Sequence, residues 1–392
     1  MSPRWRFAVL CAIATALFTG GLLFVKNRER NITIHAENRA NATLITAIPV
    51  ETTGDSSPGA RPPSARVMPS TAADAVRHPD APPPAIAPFD DIQARSYQQQ
   101  WADYLKLPLE YKNSIGMQFI LIPPGEFTMG STPEEIEQAL SNAGDDKFRQ
   151  DCINSEGPQH TVVLTRPFYI AIHEVTQEEY QAVMGINPSY FAKTGPNPQW
   201  AEKVADLDTT HHPVEGVSWN DAAEFCATLS THEGLQPFYS RTGETVSALK
   251  GTGYRLPTEA EWEFACRGGT TTRFWNGDEL PAGWFAHNSG NRTHEVEELD
   301  ENPFGLFDVH GNVWEWVEDG WQPTYYSTFA EKPAIDPKLA FSTASLRVLR
   351  GGACFGDSHC RSSGRRAVAP ATRPVVIGFR VALVPEGVRD PR

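Results

Sequence analysis

From Ser114 onward, short apolar stretches such as Phe119–Ile122 and Phe168–Ile172 are separated by glycines that recur about every ten residues. That rhythm constrains the fold more than any single motif. It predicts short strands and many loops, and the 10 Trp, 20 Phe and 30 Gly fit long connections pinned by aromatic anchors rather than by extended sheets.

The N-terminal part reads differently. Phe7 to Val25 carries no charge, with Arg4 and Arg6 before it and Lys26, Arg28 and Arg30 after. At ~1.5 Å per residue this stretch makes about 28 Å of helix, enough to cross a hydrocarbon core. Residues 1–30 are therefore an expected membrane anchor, with a cleaved signal segment ending near Ala14-Thr15-Ala16 as the alternative. Either way the rest of the chain is expected outside the cytoplasm, as a single-pass membrane protein or as a secreted or periplasmic one. Residues 31–104, with Pro62-Pro63 and Pro82-Pro83-Pro84, show no period of two or 3.6 and are expected to be a disordered Pro/Ala-rich spacer. One folded domain is expected over residues 105–387.

A net charge of −14 and the lack of a basic run beyond the anchor's flanks exclude nucleic acid as a natural partner. No Gly-rich phosphate loop, dinucleotide fingerprint or H-E-x-x-H helix occurs. Cys11 falls in the anchor, leaving Cys152, Cys226, Cys266, Cys354 and Cys360 in a compartment that permits disulfides. Five is odd, so at least one of them stands outside any pairing within the chain.

Four tetrads match helix N-caps, in which a hydroxyl accepts from an orphan amide and an acid three residues on reaches back. They are Thr132/Glu135, Thr176/Glu179, Ser218/Asp221 and Thr258/Glu261. Behind Ser218, Ala222, Phe225 and Cys226 fall at helical spacing, and behind Thr258 so do Trp262, Ala265 and Cys266. Both cysteines are thus expected to face a core.

Several blocks occur in order: Gly116-Met117-Gln118-Phe119, Pro123 to Gly130, Glu174-Val175-Thr176, Pro213 to Ala222, Gly253 to Glu263, Gly311 to Trp316, Arg347 to Cys354, and Gly378-Phe379-Arg380. Together they resemble the formylglycine-generating enzyme family, also called the sulfatase-modifying factor family. The resemblance implies an α+β, irregular, loop-rich single domain of C-type-lectin-like type with little regular secondary structure. It further implies a copper oxidase in which two thiols hold Cu(I) and a cysteine of a sulfatase-type peptide is oxidised. Thiolates are soft ligands suited to that ion.

The oxidase pattern is Gly-Gly-Ser, two residues, Cys, four residues, Cys, whereas this chain reads Gly351-Gly352-Ala353-Cys354 with Gly356 at the first copper position and Cys360 one place early. As a shifted copper pair, Cys354 and Cys360 are the candidate catalytic residues and should line an open groove with their sulfurs within about 5 Å. The alternative is structural: Cys354 fills a core pocket, and Cys360 pairs with Cys266 or Cys226. The family counterparts of Cys226 and Cys266 resemble disulfide formers. Asp308, Gly311, Val313 and Glu315 resemble a family calcium site, in which two carboxylates and two main-chain oxygens supply a hard shell. The alternative for Glu315 is a paired carboxylate between Trp314 and Trp316. Asn288 is a weaker candidate for a further site.

Adjacent residues on extended backbone point apart, so His211-His212 is expected to cap a loop rather than bind metal. Arg361, Arg365, Arg366 and Arg373 either face an acidic ligand or pair with the chain's own carboxylates, the latter being the default. Two functions follow: a formylglycine-generating-type oxidase of a peptide thiol, or a non-catalytic, calcium-stabilised module that binds a peptide or glycan on the same fold.

Overall fold

The computed structural model describes residues 80–279, 283–355 and 360–385. The expected anchor, and the spacer before residue 80, lie outside the described residues. No helix among the described residues is long and apolar enough to cross a membrane.

The order is β1 (Ala85–Ile86), α1 (Asp91–Leu105), β2 (Glu110–Lys112), β3 (Gln118–Ile122), β4 (Gly125–Met129), α2 (Pro133–Ser141) and α3 (Lys147–Asn154). Next come β5 (His160–Leu164), β6 (Phe168–Ala171), α4 (Gln177–Met184), α5 (Trp219–His232), β7 (Tyr239–Thr242), β8 (Thr245–Ala248) and α6 (Glu259–Arg267). The last third holds β9 (Trp314–Gly320), β10 (Ala334–Ile335), β11 (Arg347–Arg350), β12 (Arg366–Val368), β13 (Ile377–Phe379) and β14 (Ala382–Leu383). The fold is α+β, 26% helical and 20% strand, and so irregular and loop-rich as the glycine rhythm predicts.

Three four-stranded sheets form, ordered β1-β4-β5-β10, β12-β11-β9-β13 and β14-β6-β3-β2, with β7-β8 as a separate hairpin. Two of them explain the apolar runs. On β3, Phe119 and Leu121 enter one core while Ile120 and Ile122 enter the other, and on β6 Tyr169 and Ala171 separate likewise from Phe168 and Ile170. A strand buried on both faces has no polar side to alternate with, so it reads as a continuous apolar stretch. β11 behaves in the same way, sending Leu349 to the first core and Val348 to the second.

All four tetrads cap helices as expected. Thr132, Thr176, Ser218 and Thr258 each accept from the amide three residues on, and the acid there returns the bond, opening α2, α4, α5 and α6. The spacer, by contrast, ends sooner than residue 104. Asp90 and Gln93 form a fifth capping box, and α1 then runs to Leu105 with Ala94, Gln98, Trp101 and Ala102 buried. Trp101 and Ala102 join the first core, and the Gln98 amide donates to the carbonyls of Leu121 and Phe304. Tertiary packing makes this segment a helix against the composition of the chain before it.

The first core takes Ala222, Phe225, Cys226 and Leu229 from α5, and the second takes Trp262, Ala265 and Cys266 from α6. Both cysteines face a core as predicted, but not the same one. The disulfide expected of them does not form, and among the described residues no disulfide joins any of the five buried cysteines.

β1 reaches β4 only because Gly125 has no side chain: a Cβ there would stand 2.6 Å from the Ala85 carbonyl oxygen and 2.2 Å from Phe264 Cζ. Gly125→Ala is therefore expected to cost about 1–3 kcal/mol in a urea titration through overpacking. An unchanged midpoint would mean β1 is not docked there.

Candidate functional site

The C-terminal loop that carries two of the cysteines is built from β11 outward. After Arg350 the backbone turns through Gly351 and Gly352, at φ of 90° and 83°, values that a side chain would strain. A Cβ on Gly352 would fall 2.3 Å from Cys360 Sγ, so the second glycine leaves room for that sulfur. The Cys354 amide donates to Asn312 O at 2.9 Å, and its carbonyl accepts from Ser289 Oγ at 2.9 Å.

Cys354 and Cys360 are 0% and 2% exposed, so they do not line the open groove expected of a copper pair. Cys354 belongs to the first core, which also holds Phe191, and Trp200 and Phe355 pack against that core, the three rings lying 5.2–5.9 Å from one another. Burial, and after it the Glu215 carboxylate, pushes its thiol well above the usual range. A thiolate, the form that binds Cu(I) and attacks electrophiles, is disfavoured there. The altered spacing has a structural counterpart: with Ala353 in place of the hydroxyl, Cys354 turns into the core. Gly356 and His359 lie outside the described residues.

The same loop is fastened by arginines. Arg350 Nη2 meets Glu263 Oε2, Arg365 grips Glu259 through Nε and Nη2 at 2.8 and 2.7 Å, and Arg361 grips Glu156 at 2.7 and 2.9 Å. Arg373 pairs with Asp221. The default reading of these arginines, pairing with the chain's own acids, holds for Arg361, Arg365 and Arg373, while Arg366 is exposed.

The calcium candidates come together with two residues that the motif does not contain. Glu315 is not open to an ion: Arg380 donates to both its oxygens at 2.7 and 2.8 Å, and Trp262 Nε1 adds a third bond at 2.9 Å. Its alternative role, the paired carboxylate in an aromatic core, is the one observed. Asp308 is different. Its Oδ2 accepts from the Glu297 amide, but its Oδ1 is buried with no partner, and so is Glu174 Oε2. Burial raises the Asp308 carboxyl to about 6, and burial followed by the charges of Asp308 and Glu315 pushes Glu174 well above the ordinary range. Such orphaned, mutually repelling oxygens fit a hard cation that both would share. Of the two main-chain candidates, Val313 touches the pair, its amide donating to Glu174 Oε1 at 3.4 Å, while the Gly311 amide donates to Gly351 O at 3.0 Å. Among the described residues no set of three or more His, Cys, Asp or Glu stands ready for a metal, so main-chain oxygens would have to complete the shell.

Sequence reasoning missed Glu174 as a partner of Asp308, although it lies in one of the recognised blocks; the two meet only through the fold. Asn288 accepts from the Phe285 amide and donates to Gly283 O, closing a turn. His212 is buried with Nδ1 3.0 Å from Thr293 Oγ1, and burial lowers it to about 4, as befits a loop anchor. His310, also buried, accepts from the Trp275 amide and stands 4.0 Å from Cys266 Sγ.

Comparison with known proteins agrees with this architecture. Residues 108–384 match the family described as "Sulfatase-modifying factor enzyme 1-like domain". The chain is 31% identical to a formylglycine-generating enzyme of Streptomyces coelicolor over 67% of this chain and 88% of that one. Among solved structures, it is similar to Treponema denticola variable protein 1 (TM-score 0.57, 28% identity, 71% of this chain and 100% of that one). PvdO from Pseudomonas aeruginosa is also similar (TM-score 0.52, 27% identity, 70% and 98%). The chain thus belongs to the sulfatase-modifying factor family.

Beside Cys354, Glu215 carries its own consequence. It accepts from the Phe191 amide at 2.8 Å while Oε2 is buried without a partner, and burial raises it to about 7. Because the folded state favours its protonated form, Glu215 supports stability below its unfolded pKa near ~4.3, and that support is lost as pH rises towards 7. Glu215→Gln keeps the acceptor and removes the charge. It should gain about 1–3 kcal/mol at pH 7.5 and flatten the loss between pH 4.5 and 7 in urea midpoints. An equally steep loss in the variant would contradict this environment.

Proposed function

We propose that this chain is a non-oxidising member of its family: a calcium-pinned recognition domain that binds a peptide outside the cytoplasm, tethered by the Phe7–Val25 anchor. The observation that carries this reading is the enclosure of Cys354 in the first core, with burial opposing its thiolate. Two sulfurs that serve copper need to be ionised and to share an open position. The thiols of this chain do not fit that requirement.

The peptide partner is what the family's sulfatase-type substrates imply. A cavity of about 300 Å³ beside β2, the last strand of its sheet, supports it: charges of both signs line it, from Arg95, Glu110, Lys112 and Glu301. Exposed edge strands take extended peptides through main-chain hydrogen bonds. Calcium is held by Asp308 with Glu174, rather than by Glu315, and serves to neutralise a buried acidic pair.

Two measurements test this. Reduced protein titrated with Cu(I) and mixed with a fluorescent cysteine peptide of sulfatase type in air should show peptide binding by anisotropy, no stoichiometric copper and no aldehyde product. One copper per chain, shielding Cys354 and Cys360 from alkylation while aldehyde accumulates, would restore the oxidase reading, and a peptide that does not bind would remove the recognition reading. For the metal, calcium at about a hundred times its Kd should stabilise the protein by ~2.7 kcal/mol over chelated protein. That gain should vanish in Glu174→Gln and Asp308→Asn, and a gain that survives in both places the ion elsewhere.

A further inference from the structure

Burying a guanidinium is tolerable only when its charge and its donors are matched. Among the described residues every deeply buried arginine but one meets a carboxylate, although Nε of Arg350 and of Arg361 is buried without a partner. Arg365 and Arg380 each present the Nε/Nη2 edge, side-on, to both oxygens of one carboxylate, while Arg255 and Arg361 present both terminal nitrogens to one carboxylate.

Arg347 does not. It opens β11, opposite Gly320 and Val368, and is 7% exposed. Its guanidinium lies over the Trp219 ring at 4.7 Å and the Phe341 ring at 5.6 Å. Nη1 donates to the carbonyls of Ala344 and Leu346 at 2.8 and 3.3 Å, and no acid answers the charge among the described residues. Nε is buried with no partner. The loop that covers it, Phe341-Ser342-Thr343-Ala344-Ser345-Leu346, contains no carboxylate, and its Ser342, Thr343 and Ser345 are exposed. The edge left open is thus the one that Arg365 and Arg380 give to Glu259 and Glu315.

We propose that the Nε/Nη2 edge of Arg347 is a binding site for a single carboxylate brought by a ligand, reached past the covering loop whose Ser342, Thr343 and Ser345 are exposed. A planar carboxylate lies in the plane of the guanidinium, where the fork geometry of arginine gives two parallel bonds. A more highly charged anion suits the place less well, because the chain already carries a net −14. The group can come from a free organic acid or from a peptide's terminal or side-chain carboxylate. This site goes beyond the peptide recognition proposed above and stands without it.

The test uses the intact, nitrogen-15-labelled protein and follows the Nε–Hε signal of Arg347, assigned through its own side chain in the wild type. The ligands are acetate, an acetylated dipeptide with a free carboxylate, the same dipeptide as its amide, and chloride as the ionic control. Saturable movement of that signal with acetate and the dipeptide acid, but not with amide or chloride, is the expected result. A midpoint for the dipeptide acid about tenfold below that of acetate identifies a peptide as the source, and equal midpoints identify a free acid. If no carboxylate moves the signal beyond what chloride does, the proposal is wrong and Arg347 serves only to brace the two rings. In Arg347→Lys, which keeps the charge without the fork, saturable stabilisation of the thermal midpoint by the dipeptide acid should be lost, and its persistence would also overturn the proposal.

Discussion

The structure hangs on buried ion pairs that join α6 to Arg350 and Arg365. Glu259 and Glu263 lie in the first two turns of α6, and both are buried. They receive Arg365 and Arg350, while Arg267 of the same helix completes the coordination of Glu263. Burial alone would push the Glu263 carboxyl up, yet Arg267 and Arg350 together hold it below the usual range. A pair of this kind is not worth much relative to a hydrophobic replacement, but losing one partner costs about 3–5 kcal/mol because a buried charge is stranded. Such pairs set position more than they add stability. These pairs hold Arg350, just before the glycine pair, and Arg365, a few residues after Cys360, against α6, and so limit where Cys354 and Cys360 can sit.

This fastening also accounts for how the family architecture is kept around two buried thiols. The arginine pairs and the glycine pair hold the loop with Cys354 and Cys360 buried. Cys354 is then free to be treated as a small apolar residue, which is how a buried thiol behaves. Its neighbours are aromatic, and the nearby carboxyl, Glu215, is itself pushed toward neutrality by burial. Burial outweighs the backbone hydrogen bond and the Lys203 charge that would favour an anion on sulfur.

What the sequence made legible was local. A hydroxyl and an acid three residues apart settle their own hydrogen bonds, and so the openings of α2, α4, α5 and α6 could be read directly. The opening of α1 uses the same geometry with Asp90 and Gln93, but it sits behind a proline-rich stretch, and its helix is held by contacts from Gln98 to Leu121 and Phe304, far along the chain. The cysteines failed for a related reason. Helical spacing shows that Cys226 and Cys266 face inward, but only the sheets between them decide that they face different cores. Glu315 reads as a ligand from its motif, while its partner Arg380 stands 65 residues away and leaves no local trace. Glu174 is the converse, a group that the motif omits and the fold supplies.

Where the polar groups of an interior fail to match, a missing partner is the natural explanation, since native proteins leave few buried polar atoms unbonded. Glu174 Oε2 and Asp308 Oδ1 are two such atoms, and Arg347 Nε is a third. They differ in sign and in surroundings, so one ligand cannot serve all three. The acidic pair stands beside Arg380, whose charge is already committed to Glu315, so the calcium proposed above would be the partner that these two oxygens lack. Around Arg347 the walls are aromatic and the carbonyl acceptors are spent on Nη1, so the excess is positive and calls for an anion. A scaffold that gives Arg255, Arg350, Arg361, Arg365 and Arg380 a carboxylate each has the means to give Arg347 one as well. That it leaves this buried guanidinium without an acid, under a loop without acids, is the strongest reason to read its open edge as a place for something the chain does not itself contain.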